Sequence, residues 1–131
     1  MNVEVKQKWL TALSSGKYEQ VNGRLRDKTG FCCLGVLCDL YAEEHPDAEG
    51  WGKTSSTGYT QFIDENGDFD DLALPTGVRK WAGLTDDDPN IKGIVRRKGN
   101  TITESRATTL ARANDSGYTF HEIAQIIRRE L

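Results

Sequence analysis

The stretch Phe31 to Tyr41 constrains the chain most. Cys33, Leu37 and Leu40 make one row at helical spacing and Leu34, Cys38 and Tyr41 an adjacent one, and a helix apolar over that much of its girth has to be buried. A chain of 131 residues has room for one hydrophobic core, since domains cluster around roughly 100 to 150 residues. The helix is therefore expected at the centre of a single compact domain, residues 1–131. It should end where Glu43 and Glu44 give way to His45-Pro46, because the residue before a proline avoids helical backbone.

Around that centre the periodicity supplies shorter elements. From Asn2 to Leu13, Val5, Trp9, Ala12 and Leu13 fall on one helical face, with Gly16 as a stop. Tyr18 to Val21 and Arg24-Leu25-Arg26 read as a strand pair turning at Asn22-Gly23 and closing at Lys28-Thr29-Gly30. A polar, glycine-rich loop runs through Ser55-Ser56, and then Tyr59 to Ile63 and Phe69 to Leu72 flank Asn66-Gly67 as a β-hairpin. Pro75 and Gly83 bracket a helix over residues 75 to 82. A second hairpin is expected from Ile91 to Arg97 and Thr101 to Thr103, turning at Lys98-Gly99-Asn100. Two helices close the chain, Ser105 to Ala113 and Phe120 to Arg129, the latter opened by a Thr119/Glu122 capping box and facing the core with Phe120, Ile123, Ala124 and Ile127. The expected fold class is α+β: small antiparallel hairpins or a sheet packed with about five short helices in one domain.

Charge is segregated along the chain. Residues 1–38 carry six Lys/Arg against three Asp/Glu, residues 39–89 three against thirteen, and residues 90–131 eight against four. These blocks either neutralise one another in the fold or present two fields to partners. The opening residues hold no apolar run of a secretory signal, and no segment reaches the roughly 18 apolar residues of a membrane span. A cytoplasmic protein with no membrane partner is expected. Cys32, Cys33 and Cys38, an odd and crowded set, read as free thiols of a reducing compartment.

Two blocks of residues carry a resemblance. Trp9-x-x-Ala12-Leu13-x-x-Gly16-x-Tyr18-x-Gln20, Leu25-Arg26 and Phe31-Cys32-Cys33-Leu34-Gly35-Val36-Leu37-Cys38-Asp39-Leu40 form the first. Leu74-Pro75, Val78, Trp81-Ala82-Gly83-Leu84 and Asn114-Asp115-x-Gly117-Tyr118-Thr119-Phe120-x-Glu122-Ile123-Ala124 form the second. In this order they resemble a family of small tailed-bacteriophage (prophage) proteins, apart from the stretches around 45–58 and 91–103. The resemblance implies a phage or prophage origin and action in the host cytoplasm during infection. It carries over no catalytic residue.

Candidate sites follow from residue chemistry. The three cysteines lack the spacing of a zinc knuckle, and adjacent helical positions point about 100° apart, so packing is the expectation and no metal is assigned. His45 and His121 are tied to the cysteines by no motif that would make a nucleophile and base. Asp64-x-Asn66-x-Asp68-x-Asp70 imitates the start of a calcium loop but has Phe69 where that loop needs glycine, which favours a hairpin turn. Gly117 to Ile126 looks like half of a helix-turn-helix with no recognition helix after it, and with an isoelectric point near 5.4 sequence-specific DNA binding is not expected. No catalytic residue and no cofactor is assigned, and an enzyme ranks last for want of any such motif.

What remains is a set of basic residues, Arg24, Arg26, Arg96, Arg97, Lys98, Arg106 and Arg112, with Tyr18 or Tyr59 as aromatic platforms. If they converge, guanidinium groups hold phosphate by bidentate contacts while a ring stacks; if they do not, they are a solvated face balancing the acidic middle. Two functions fit. The first is a non-enzymatic phage accessory protein acting against host defence by sequestering a phosphorylated signalling nucleotide, as small proteins that bind cyclic or ADP-ribose-type nucleotides do, with a pocket that self-association of the chain would place between subunits. The second is an inhibitor or adaptor that docks Asp64 to Asp71 and Asp86 to Asp88 on a basic host protein.

Overall fold

A computed structural model describes residues 1–92 and 108–131 in full, and the backbone of 94–98 and 101–105. Among these residues five helices and two small antiparallel sheets form one α+β domain. The helices are α1 (Val3–Ser14), α2 (Cys33–Glu44), α3 (Thr76–Ala82), α4 (Leu110–Asp115) and α5 (Phe120–Glu130). Strands β1 (Gly50–Trp51), β2 (Phe62–Ile63) and β3 (Phe69–Asp70) make a three-stranded sheet in that order, and β4 (Ile94–Lys98) pairs with β5 (Thr101–Ser105).

Helix α2 is the hub expected of it. Cys33, Leu34, Val36, Leu37 and Cys38 are fully buried, and α1, α3, α4 and β1 all pack on it. Helix α1 lies between α2 and α5, with Trp9 completely enclosed and its indole Nε1 donating to the Cys33 carbonyl at 2.9 Å. The ends of the helices are built from local chemistry. Asn2 caps α1 by accepting from the Val5 amide at 3.0 Å, and the capping box of α5 is formed in both directions. Gly83 takes the left-handed conformation that ends α3 (φ 69°). Pro75 stands at the cap of α3, one residue before the helix.

Three expectations change. The strand pair over 18–26 does not form, because the Phe31 segment occupies the hydrogen-bonding groups of both halves. Phe31 N donates to Glu19 O and Val21 N to Phe31 O, while Cys32 N donates to Leu25 O and Asp27 N to Gly30 O. The Asn22-Gly23 turn faces α4 instead, with Gly23 N donating to Asp115 Oδ1 at 2.8 Å. The helix expected from Ser105 begins only at Leu110: Ser105 pairs with Ile94 in the second hairpin, and Thr109 is extended, bridging Asn90 and capping α4 through its hydroxyl. The first hairpin is shorter than expected, Phe62–Ile63 against Phe69–Asp70, and it gains a third strand, Gly50–Trp51, from a stretch read as loop.

Close approach explains one glycine. A Cβ on Gly35 would fall 1.9 Å from the Leu25 carbonyl oxygen, so α2 meets the 24–26 segment backbone to backbone. Gly35→Ala is expected to destabilise the fold by about 3 kcal/mol or more, on the order of 10 °C in Tm. Gly52→Ala, whose Cβ would meet nothing closer than 3.7 Å, is expected to leave the thermal transition in place; melting both variants against the parent checks the contrast.

Candidate functional site

The segment that hooks onto Phe31 carries Arg24 and Arg26, and the contacts of that hook decide where their side chains lie. Leu25 between them is fully buried against α2, while Arg24 and Arg26 are half-buried, with the Arg24 Nε enclosed. The segment is stitched to residues 59–60, with Thr60 N donating to the Arg26 carbonyl at 3.1 Å and Asp27 bridged to Tyr59. Tyr59 and the arginines are thereby brought to one surface.

Each guanidinium lies on an aromatic ring. The Arg24 guanidinium carbon sits 4.6 Å from the centroid of Tyr59, and that of Arg26 is 4.7 Å from Phe31 and 5.2 Å from Trp51. At these separations the ring quadrupole attracts the cation. A guanidinium held by its face keeps its N–H edges for an acceptor. No described side chain or carbonyl accepts a hydrogen bond from Arg26. Arg24 has one loose counterion, Asp71 Oδ2 at 3.8 Å from Nε, with both side chains about one-third exposed, a pairing worth little in solvent.

Behind Arg26 stands a rigid frame. Tyr18 packs its ring edge-on against Phe31 at 5.0 Å, and Phe31 meets Trp51 at 5.7 Å. Asp39 on α2 locks two of these rings, accepting from the Tyr18 hydroxyl at 2.7 Å on one oxygen and from Trp51 Nε1 at 3.0 Å on the other. Burial, followed by the hydrogen bond and charge of Asp39, pushes the Tyr18 phenol well above its ordinary range, so it remains a neutral donor. Tyr18 is half-buried, packs on Phe31 and carries neither arginine; Tyr59, more than one-third exposed, carries Arg24.

Of the remaining predicted residues only Arg112 has a described side chain, and it is not gathered with these. Arg112 is exposed in the last turn of α4 and touches none of the rings. Arg96 and Arg97 lie on β4 opposite Thr103 and Ile102; their side chains, and Arg106 altogether, fall outside the described residues. Phe31, Trp51 and Asp39 were missed by sequence reasoning. Trp51 lies in a glycine-bracketed stretch with no period, and only the pairing Trp51↔Phe62 places it.

The cysteines pack. Burial pushes the Cys32 thiol up to about 12 and those of Cys33 and Cys38 well above their ordinary range. Cys32 Sγ accepts from Gly35 N at the start of α2, and Cys33 Sγ donates to the Leu110 carbonyl at 3.6 Å. Among the described residues no cluster of His, Cys, Asp and Glu has the grouping of a metal site, and no described helix is long and apolar enough to cross a membrane.

The acidic middle is largely engaged with the backbone. Asp64 is only 2% exposed; its Oδ1 accepts from Asn66 N and Asp68 N and its Oδ2 from Gly77 N at 2.7 Å, which joins the hairpin to α3. Asp68 accepts from Thr76 N, Asp70 from Leu72 N, and Asp88 from Ala111 N. The amide and hydroxyl of Thr76 hold the Asp68 carboxyl below its ordinary range. A depressed carboxyl stabilises the fold above its unfolded pKa of about 3.9 and loses that contribution as pH falls through the lower folded value. Asp68→Asn is thus expected to lower Tm at pH 7, with the gap from the parent closing below about pH 4, as thermal melts across pH would show.

The whole chain, residues 1–131, matches the model of a family described as a domain of unknown function (DUF8296), and the chain belongs to that family. No curated protein and no solved structure matches it.

Proposed function

We propose that this family member is a non-enzymatic binding protein that holds a phosphorylated nucleotide on the Arg24, Arg26 and Tyr59 surface, and that it serves a phage by sequestering a signalling nucleotide of host defence. One observation carries the reading. Two arginines two residues apart each have the guanidinium over an aromatic ring (4.6 Å for Arg24 on Tyr59, 4.7 Å for Arg26 on Phe31), with the N–H groups of Arg26 unused by any described acceptor. Pre-orienting a guanidinium removes much of the entropy lost when it captures phosphate. Phosphate rewards such a fork through charge-assisted bidentate hydrogen bonds.

The phage setting comes from the resemblance of the two sequence blocks, and the sequestering role follows from the lack of a catalytic constellation in either. The competing reading, docking through the acidic middle, has less to work with. Asp64, Asp68, Asp70 and Asp88 accept backbone hydrogen bonds and Asp71 faces Arg24, and its exposed charges are Glu65, Asp68, Asp86 and Asp87.

Isothermal titration of the purified chain with ADP, ADP-ribose and a cyclic dinucleotide tests the proposal. At least one is expected to bind, and Arg24→Ala and Arg26→Ala each to weaken it by about 10- to 100-fold, the equivalent of one lost charge-assisted contact. Binding unaffected by both changes, or no binding by any of the three, would refute it.

A further inference from the structure

We infer that the nucleotide held here presents a free vicinal diol, which enters the cleft beside Tyr59 and is read by Asp27; this rests on the reading of Arg24 and Arg26 as the phosphate site. Tyr59 belongs to both features. Its ring carries Arg24, and its side chain also walls a cleft of about 330 Å³ formed with Asp27, Lys28, Ser56 and Thr57.

Asp27 is built as a fixed acceptor. Its Oδ1 takes all three local donors: the Thr29 amide at 2.7 Å, the Thr29 hydroxyl at 2.9 Å and the Gly30 amide at 3.1 Å. This turn immobilises the carboxylate and leaves Oδ2 with no donor among the described residues. The same bonds hold the carboxyl below its ordinary range, so it is anionic at neutral pH. An anionic oxygen repels phosphate and accepts from hydroxyls, and a carboxylate receiving both hydroxyls of a ribose is a recurrent way of reading that sugar.

Lys28 lines the same cleft as Asp27, and Arg24 lies over the Tyr59 ring that belongs to it. The Lys28 chain runs past Gly58, where an added Cβ would meet its Cε at 3.7 Å, and Arg24 lies on Tyr59. A ligand that puts hydroxyls on Asp27 has Lys28 and Arg24 available for its charged end. The volume suits one nucleoside unit, at the lower end of small-ligand pockets. A 3′,5′-linked cyclic dinucleotide has its 3′-oxygens esterified and carries no such diol.

Titrating ADP and 2′-deoxy-ADP into the parent, Asp27→Asn and Arg24→Ala separates the possibilities. Asparagine keeps a carbonyl oxygen for the turn and removes the anionic one, and its Tm reports whether the fold survives. The parent should bind ADP at least about 10-fold tighter than 2′-deoxy-ADP. Asp27→Asn should erase that preference without weakening 2′-deoxy-ADP, and Arg24→Ala should weaken both alike. Equal affinity of the parent for the two nucleotides, or a preference that survives Asp27→Asn, overturns the diol subsite and leaves the phosphate site standing. Binding of neither overturns the diol subsite, and the phosphate site falls with it only if ADP-ribose and the cyclic dinucleotide fail to bind as well. If Asp27→Asn does not fold, the parent's preference between the two ligands decides alone.

Discussion

The buried amide of Asn114 holds the parts of this fold together. It is completely enclosed, and an enclosed amide without partners would be costly. Its Oδ1 accepts from Gln20 Nε2 at 2.9 Å and from the Cys33 amide at 3.1 Å, and its Nδ2 donates to the Val21 carbonyl at 2.8 Å. Gln20 extends the network, donating to the Tyr118 carbonyl and accepting from the Phe120 amide. One side chain in α4 thus ties down the first turn of α2, the 20–21 segment and, through Gln20, the entry to α5. In a low-dielectric interior such a fully satisfied network selects one arrangement of the backbone over its neighbours.

That arrangement is what the arginines depend on. With Val21 held by Asn114 and Gly23 by Asp115, the chain reaches Leu25 in a position where only a glycine at 35 lets α2 approach. Arg24 and Arg26 then emerge on either side of a buried leucine, over rings supplied by the 31, 51 and 59 positions. The rings come from three separate stretches of chain, and Asp39 on α2 fastens Trp51 directly and Phe31 through Tyr18. The cluster is thus a product of the core, displayed at its edge, with its charged groups set over rings that the core positions.

The parts legible in the sequence are those whose cause is local. The apolar rows of α2, the Pro75 and Gly83 brackets of α3, and the Thr119/Glu122 box of α5 each act within a few residues, so periodicity and capping rules found them. The 18–26 stretch looked like a hairpin because Asn22-Gly23 has the right turn chemistry; the partners it takes, Phe31 and Asn114, lie far enough along the chain that no short-range rule names them. Thr108 and Thr109 delayed the start of α4 in the same way, through pairing with Asn90 and Ile91. Within the site, the arginines and Tyr59 could be nominated by chemistry. Trp51, Phe31 and Asp39 could not, since what gives them a role is the tertiary stacking. The acidic run shows the converse case: as a charge pattern it suggested a docking surface, whereas in the fold Asp64, Asp68, Asp70 and Asp88, half of its carboxylates, cap backbone amides.

Pre-orientation of the two guanidinium groups is the claim on which the account turns, and ¹H–¹⁵N spectra of the arginine Nε–H groups in the ligand-free protein address it directly. Ring currents from Tyr59, Phe31 and Trp51 should displace the Arg24 and Arg26 signals upfield of the exposed arginines and slow their exchange with water, and Trp51→Leu should return Arg26 alone toward the bulk position. Arg24 and Arg26 signals coincident with those of solvent-exposed arginines such as Arg112 would contradict it.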